Sequence, residues 1–215
     1  MKSIESTYLT ALCLRQELLF YRDAYSGKGV LFFELFMKLK PLLIALTNTK
    51  EFIDGISFYV RDNENIRNKR KQITQRLECC RYLRNKICGH LDDEFCEMAK
   101  KWAPASLLKL ESFDSPELNI RWSVNMFTKA LIESAINSFR IDNPTQSFFS
   151  SEIDILYPPN NVQLMNFIEV ANENCIQLLS DIADHLRPNI NFYNGVDGAM
   201  DAIKEAAKMD FGTKE

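Results

Sequence analysis

Arg84 and His90, six residues apart, are the pair in this chain best suited to chemistry. They sit in the run Arg84-Asn85-Lys86-Ile87-Cys88-Gly89-His90, and His90 is one of two histidines in the chain. Arginine carries a permanent charge on a planar fork that matches phosphate oxygens. Histidine both gives and takes a proton near neutral pH. A fixed cation and a proton carrier are together the minimum needed to cleave an RNA phosphodiester without a metal. The same residues also have a structural reading. In it, Arg84 pairs with a distant acid, Asn85 is a polar surface residue, and His90 bonds locally at a helix start.

The run closes a long basic segment. Residues 61–86 hold nine Arg or Lys against three acids, Asp62, Glu64 and Glu78. An RNA-binding face needs such local charge, and Arg81 and Lys86, flanking Arg84, are the expected RNA contacts. The plainer reading is a solvated face, because Arg67, Arg70, Lys71 and Arg81 spread around more than one side of a helix. After the run come Asp92, Asp93 and Glu94. With His90 they are possible ligands for a divalent ion, but their spacing fits no metal motif. No metal and no cofactor is expected.

The elements that must position these residues read as helices. Residues 62–88 contain neither Gly nor Pro and are rich in helix formers. Their apolar stripe is Ile66, Ile73, Leu77, Cys80 and Ile87, and Arg84 projects inside it, with Lys69 and Arg76 close to the same face. Gly89 is placed to end this helix as a left-handed cap. Asp92, Asp93 and Glu94 suit the first turn of the next, where acids favour the positive end of the dipole.

Upstream, residues 3–25 read as a first helix, with Ser3 as cap and Leu9, Leu12, Cys13, Leu18, Leu19 and Phe20 on an apolar side. Residues 26–29 form a break. Residues 30–46 read as a second helix kinked near Pro41, and residues 50–60 as a short ambiguous segment weakened by Gly55. Phe32, Phe33, Phe36, Phe52, Phe58 and Tyr59 are most simply core or dimer interface.

Downstream, a helix runs to about Trp102, and Ser115 and Pro116 are a good N-cap and N1 for another that reaches about Phe139. Residues 141–159 are polar and irregular, with a possible short strand over 153–157. Residues 162–186 and 196–209 are the last two helices. His185, near a helix C-terminus, complements the dipole. The loop over 141–161 is the best boundary between a core bundle (1–140) and a C-terminal helical extension (141–215) packed on the same domain.

Composition agrees with a soluble all-α domain. Gly and Pro number seven each, the hydrophobic fraction is 46% and the charged fraction 26%. Net charge is −3, so any attraction for nucleic acid must be local. The most apolar stretch, residues 29–47, is broken by Glu34, Lys38, Lys40 and Pro41, which argues against a membrane span. No signal peptide is read at the N-terminus. The six cysteines are therefore expected as reduced, mostly buried thiols, without zinc-knuckle spacing.

An Arg, a polar neighbour and a His at a helix junction of an all-helical chain resembles the HEPN family, the higher-eukaryote and prokaryote nucleotide-binding domain. The matching residues are Arg84, Asn85 and His90, with five residues between Arg84 and His90. The resemblance covers roughly residues 1–140 and implies a HEPN-like helical bundle with additional C-terminal helices. Many family members are metal-independent ribonucleases, often toxins or abortive-infection effectors of prokaryotes, and they generally dimerise around a composite site. Carried over, His90 is general acid or base, Arg84 holds the scissile phosphate, and Asn85 positions one of them. The implied partners are RNA, a second copy of the chain and an antitoxin protein, in the cytoplasm and away from membranes. The alternative is a non-catalytic HEPN-fold protein that binds a nucleotide, an RNA or a partner protein in the same cleft. In toxins of this family a modifiable Tyr can follow the His by two residues; here that place is Asp92.

Overall fold

The structure, a computed structural model, describes residues 3–25, 32–88, 93–107, 116–193 and 195–206. Its helices are α1 (Ile4–Tyr25), α2 (Phe32–Gly55), α3 (Glu64–Ile87), α4 (Asp93–Trp102), α5 (Pro116–Asp142), α6 (Pro158–Leu186) and α7 (Gly195–Ala206). Short 3-10 turns lie at Pro104–Leu107 and Arg187–Asn189. The fold is all-α, with no strand among the described residues. The expected features at residues 26–29, Gly89, His90, Asp92, Ser115 and Met209 lie outside those residues.

α3 is the central element. It packs against α2, α5 and α6, while α1 packs on α6 and α2, and α4 on α5. Every member of its expected apolar stripe is buried, from Ile66 to Ile87. Asn63 starts the helix by accepting the Ile66 N–H on its side-chain oxygen at 3.1 Å, which satisfies one of the open amides of the first turn. Asn63 also donates to His185 Nδ1 at 3.3 Å, and His185 Nε2 lies 3.2 Å from the Tyr59 carbonyl. Because that carbonyl only accepts, Nε2 is the donor to it. The end of α6 is thereby tied to the α2–α3 connection.

Three expectations need correction. First, α2 does not end near residue 46, since it runs unbroken through Pro41 to Gly55. Leu42, Leu43, Leu46 and Ile53 keep a helical spacing into the core. The buried hydroxyls of Thr47 and Thr49 are satisfied within the helix, by the carbonyls of Leu43 and Ala45. Second, α1 keeps only part of its expected apolar side inward. Leu18 is buried and Leu12 and Leu19 pack on the core, whereas Leu9, Cys13 and Phe20 are exposed and Thr7 and Ala11 are buried instead.

Third, residues 153–157 form no strand. Ile153 and Ile155 alternate inward as a strand would, but their backbone groups pair with α5 side chains. Asn137 accepts the Ile153 N–H at 2.9 Å and donates to its carbonyl at 3.0 Å, and Glu133 accepts the Ile155 N–H. A single extended segment can satisfy its backbone this way without a ladder.

Candidate functional site

The C-terminal half of α3 forms one wall of an open groove of about 650 Å³, which also touches α2 and the end of α5. Glu78, Arg81, Tyr82 and Asn85 follow at intervals of three, one and three residues, so they share a face of α3, and Arg84 borders it. α2 contributes Thr47 and Glu51, and Phe139 and Asn143 close the far side.

The sequence placed Arg84 on the packed stripe, and the structure moves it off. Arg84 is exposed, whereas Leu83 is 1% exposed. Heptad-spaced positions on a straight α-helix drift by about 20° per repeat, so by Ile87 the stripe has turned by about 60°. That rotation brings Cys79 and Leu83 inward and sets Arg84 at the rim.

The two cations that do lie on the seam have partners in or beside α6. Lys69 pairs with Asp181. The Arg76 guanidinium lies 5.3 Å and 5.0 Å from the ring centres of Phe148 and Phe167, and donates to the Phe167 carbonyl. Burial pulls its pKa down.

Arg84 is differently placed. Its Nη1 donates to Asn85 Oδ1 at 3.0 Å, and among the described residues no acid pairs with it. Arg81 is held by Glu78 at 2.7 Å, and the other Glu78 oxygen is 2.9 Å from the buried Lys50. Glu78 therefore serves two cations, and neither it nor any other acid among the described residues pairs with Arg84. Lys86 is half-buried on α3 and is not part of the groove lining. His90 lies outside the described residues, so the structure brings together Arg81, Arg84 and Asn85 of the expected set.

Sequence reasoning missed the acids. Glu78 was legible in principle, because it precedes Arg81 by three residues within the helix expected over residues 62–88. Glu51, Phe139 and Asn143 come from other helices and carried no local signal. Among the described residues, no cluster of His, Cys, Asp or Glu is arranged to hold a metal ion. None of the described helices is long and apolar enough to cross a membrane.

The described cysteines form no disulfide. Cys79, Cys80 and Cys175 are buried, and burial pushes the Cys80 thiol up to about 12. Such thiols are poor nucleophiles.

No family model, no curated protein and no solved structure matches the chain.

Proposed function

We propose that this chain is a HEPN-like, metal-independent endoribonuclease. One observation carries the reading: Arg84, fixed by Asn85 and with no acid partner among the described residues, lines a polar groove beside Arg81. A guanidinium offered to solvent in a concave site is poised to take a phosphate. In the reaction, the 2′-oxygen attacks phosphorus and the bond to the 5′-oxygen breaks. One proton leaves the 2′-hydroxyl and another reaches the departing oxygen. His90, five residues beyond Asn85 in sequence, is the proposed proton carrier. Arg84 stabilises the charge that grows on the phosphoryl oxygens, and Asn85 orients Arg84. The products are a 2′,3′-cyclic phosphate and a 5′-hydroxyl. A toxin or phage-defence role, a homodimer and an antitoxin partner belong to the same proposal.

A second reading is favoured by Glu51 and Glu78, which lower the positive potential of the groove. That balance suits one bound nucleotide more than a long backbone track, and it describes a binding protein without catalysis.

The test is incubation with total RNA in excess EDTA, beside Arg84→Ala and His90→Ala. Cleavage that survives EDTA and falls by about 100-fold or more in both variants is expected. Intact RNA in every lane, with binding that still depends on Arg84, favours the second reading. Cleavage indifferent to both substitutions overturns the first.

A further inference from the structure

The groove has a second pole opposite its cation. Glu51, on α2, is exposed into it and has no ion pair or hydrogen bond among the described residues. The register of α2 against α3 sets how far this carboxylate stands from Arg84. Cys88 reaches the Lys40 carbonyl, Glu78 pairs with Lys50, and Arg70 pairs with Asp54, so the two helices run antiparallel. In that register Glu51 is level with Leu77 and Glu78. Arg84 lies a further six or seven residues along α3, about 10 Å by helical rise.

A cation and a carboxylate separated in this way match the two ends of a nucleotide, phosphate and base edge. Between them lies the half-buried ring of Tyr82, held against Phe139 at 5.4 Å between ring centres. That packing holds the ring in place, and it offers a flat apolar flank for a base.

The chemistry of the free pole then selects the base. A carboxylate only accepts hydrogen bonds. Guanine alone presents two adjacent donors on its Watson–Crick edge, N1–H and the 2-amino group. Adenine and cytosine place an acceptor beside their amino group, and uracil places acceptors on both sides of its single donor. An acceptor facing a carboxylate is repelled, and only guanine offers the carboxylate a pair of donors. Asn143 adds to the same preference. Its Nδ2 donates to the Phe139 carbonyl at 2.9 Å, which leaves Oδ1 as a further acceptor at the groove wall.

We infer that the groove takes a guanine nucleotide, with its phosphate on Arg84 and Arg81 and its Watson–Crick edge on Glu51. Whether that nucleotide is free or a residue of an RNA chain is a matter of source, and its recognition is the same. In the RNA case the inference rests on the ribonuclease reading and predicts cleavage beside guanosine.

The experiment measures binding of the four nucleoside monophosphates to the full chain, to Glu51→Gln and to Arg84→Ala. Cleavage of RNA oligomers holding a single guanosine, adenosine or uridine in a cytidine run is mapped in parallel. Guanosine monophosphate should bind at least about tenfold more tightly than the other three. Glu51→Gln should erase that difference and leave the weaker nucleotides unchanged. Arg84→Ala should weaken all four together. Selective binding without any cleavage would keep this inference and remove the ribonuclease reading. Cleavage indifferent to the guanosine and to Glu51→Gln would do the reverse. Equal affinity for the four nucleotides, or no binding of any, overturns the inference. Because Glu51 is exposed and unpartnered among the described residues, Glu51→Gln should fold, which an unchanged circular dichroism melt would verify.

Discussion

Two arginines of α3, Arg76 and Arg84, differ by eight residues, and their environments assign them opposite jobs. Arg76 is enclosed by two phenylalanine rings and a carbonyl. Its alkyl stem and its charge both serve the packing of α3 on α6. Arg84 hydrogen-bonds Asn85, pairs with no acid among the described residues and faces the groove. Arg76→Ala should therefore lower the free energy of unfolding by about 2 kcal/mol, with the cation–π contacts and the lost packing both contributing. Arg84→Ala should change it by less than about 0.5 kcal/mol, as at an ordinary surface position. Urea unfolding of the two variants measures both. A large loss at Arg84 would mean that the residue is structural, and the functional reading of the groove would lose its main support.

At the scale of elements, the α2–α3 pair is clasped by charges as well as by its core. Lys50 is 8% exposed and bonds both Asp54 and Glu78, while Arg70 reaches Asp54 from the other side. Burial by itself raises the Asp54 carboxyl. The hydrogen bonds and charges of Lys50 and Arg70 outweigh it and hold the group below its ordinary value of 3.8. A carboxyl depressed in the folded state stabilises the fold above its unfolded pKa. That contribution is lost as pH falls through the folded value. Lys50 behaves in the complementary way. Burial lowers its pKa, but bonds to Asp54 and Glu78 raise it overall, so its share is lost only at strongly alkaline pH. Asp54→Asn should flatten the acid limb of the stability curve below about the ordinary carboxyl range. Melting temperatures over that limb provide the check, and an unchanged acid slope would assign it to other carboxylates. The clasp also orients Arg81 through Glu78, so it links the element to the groove.

Across the whole molecule, one fully buried carboxylate ties distant parts together. Glu133 accepts from Trp102 on α4 at 3.1 Å, from Lys129 one turn away, and from the backbone of Ile155. Burial raises its pKa against the pull of Lys129. Removing Glu133 leaves the buried Lys129 with only its longer contact to Asp154 at 3.4 Å and orphans the N–H groups of Trp102 and Ile155. Glu133→Ala should cost about 3–5 kcal/mol, measured by urea unfolding. A cost under about 1 kcal/mol would show that water replaces the lost partners. Gln is expected to recover part of the loss, since its carbonyl oxygen still accepts from Trp102 or Ile155.

By itself the sequence determined the helical class, the approximate extent of α3 and the burial of Ile66, Ile73, Leu77, Cys80 and Ile87, because a gap-free run of helix formers with a heptad-like spacing favours one apolar face. It did not show that Cys79 and Leu83 join that face. It also brought Arg81, Arg84 and Asn85 together, since neighbours within a turn stay neighbours in any fold. The rotation of Arg84 off the seam was not legible, because a drift of a few tens of degrees depends on which helices flank α3 and not on α3 alone. The extended segment at Ile153 and Ile155 read as a strand because alternation reports burial, not the partner of the backbone. The opposite pole of the groove, Glu51 with Asn143, was settled only by tertiary packing. Long-range contact sets which surfaces of α2 and α5 meet α3, and no local pattern of residues encodes that register.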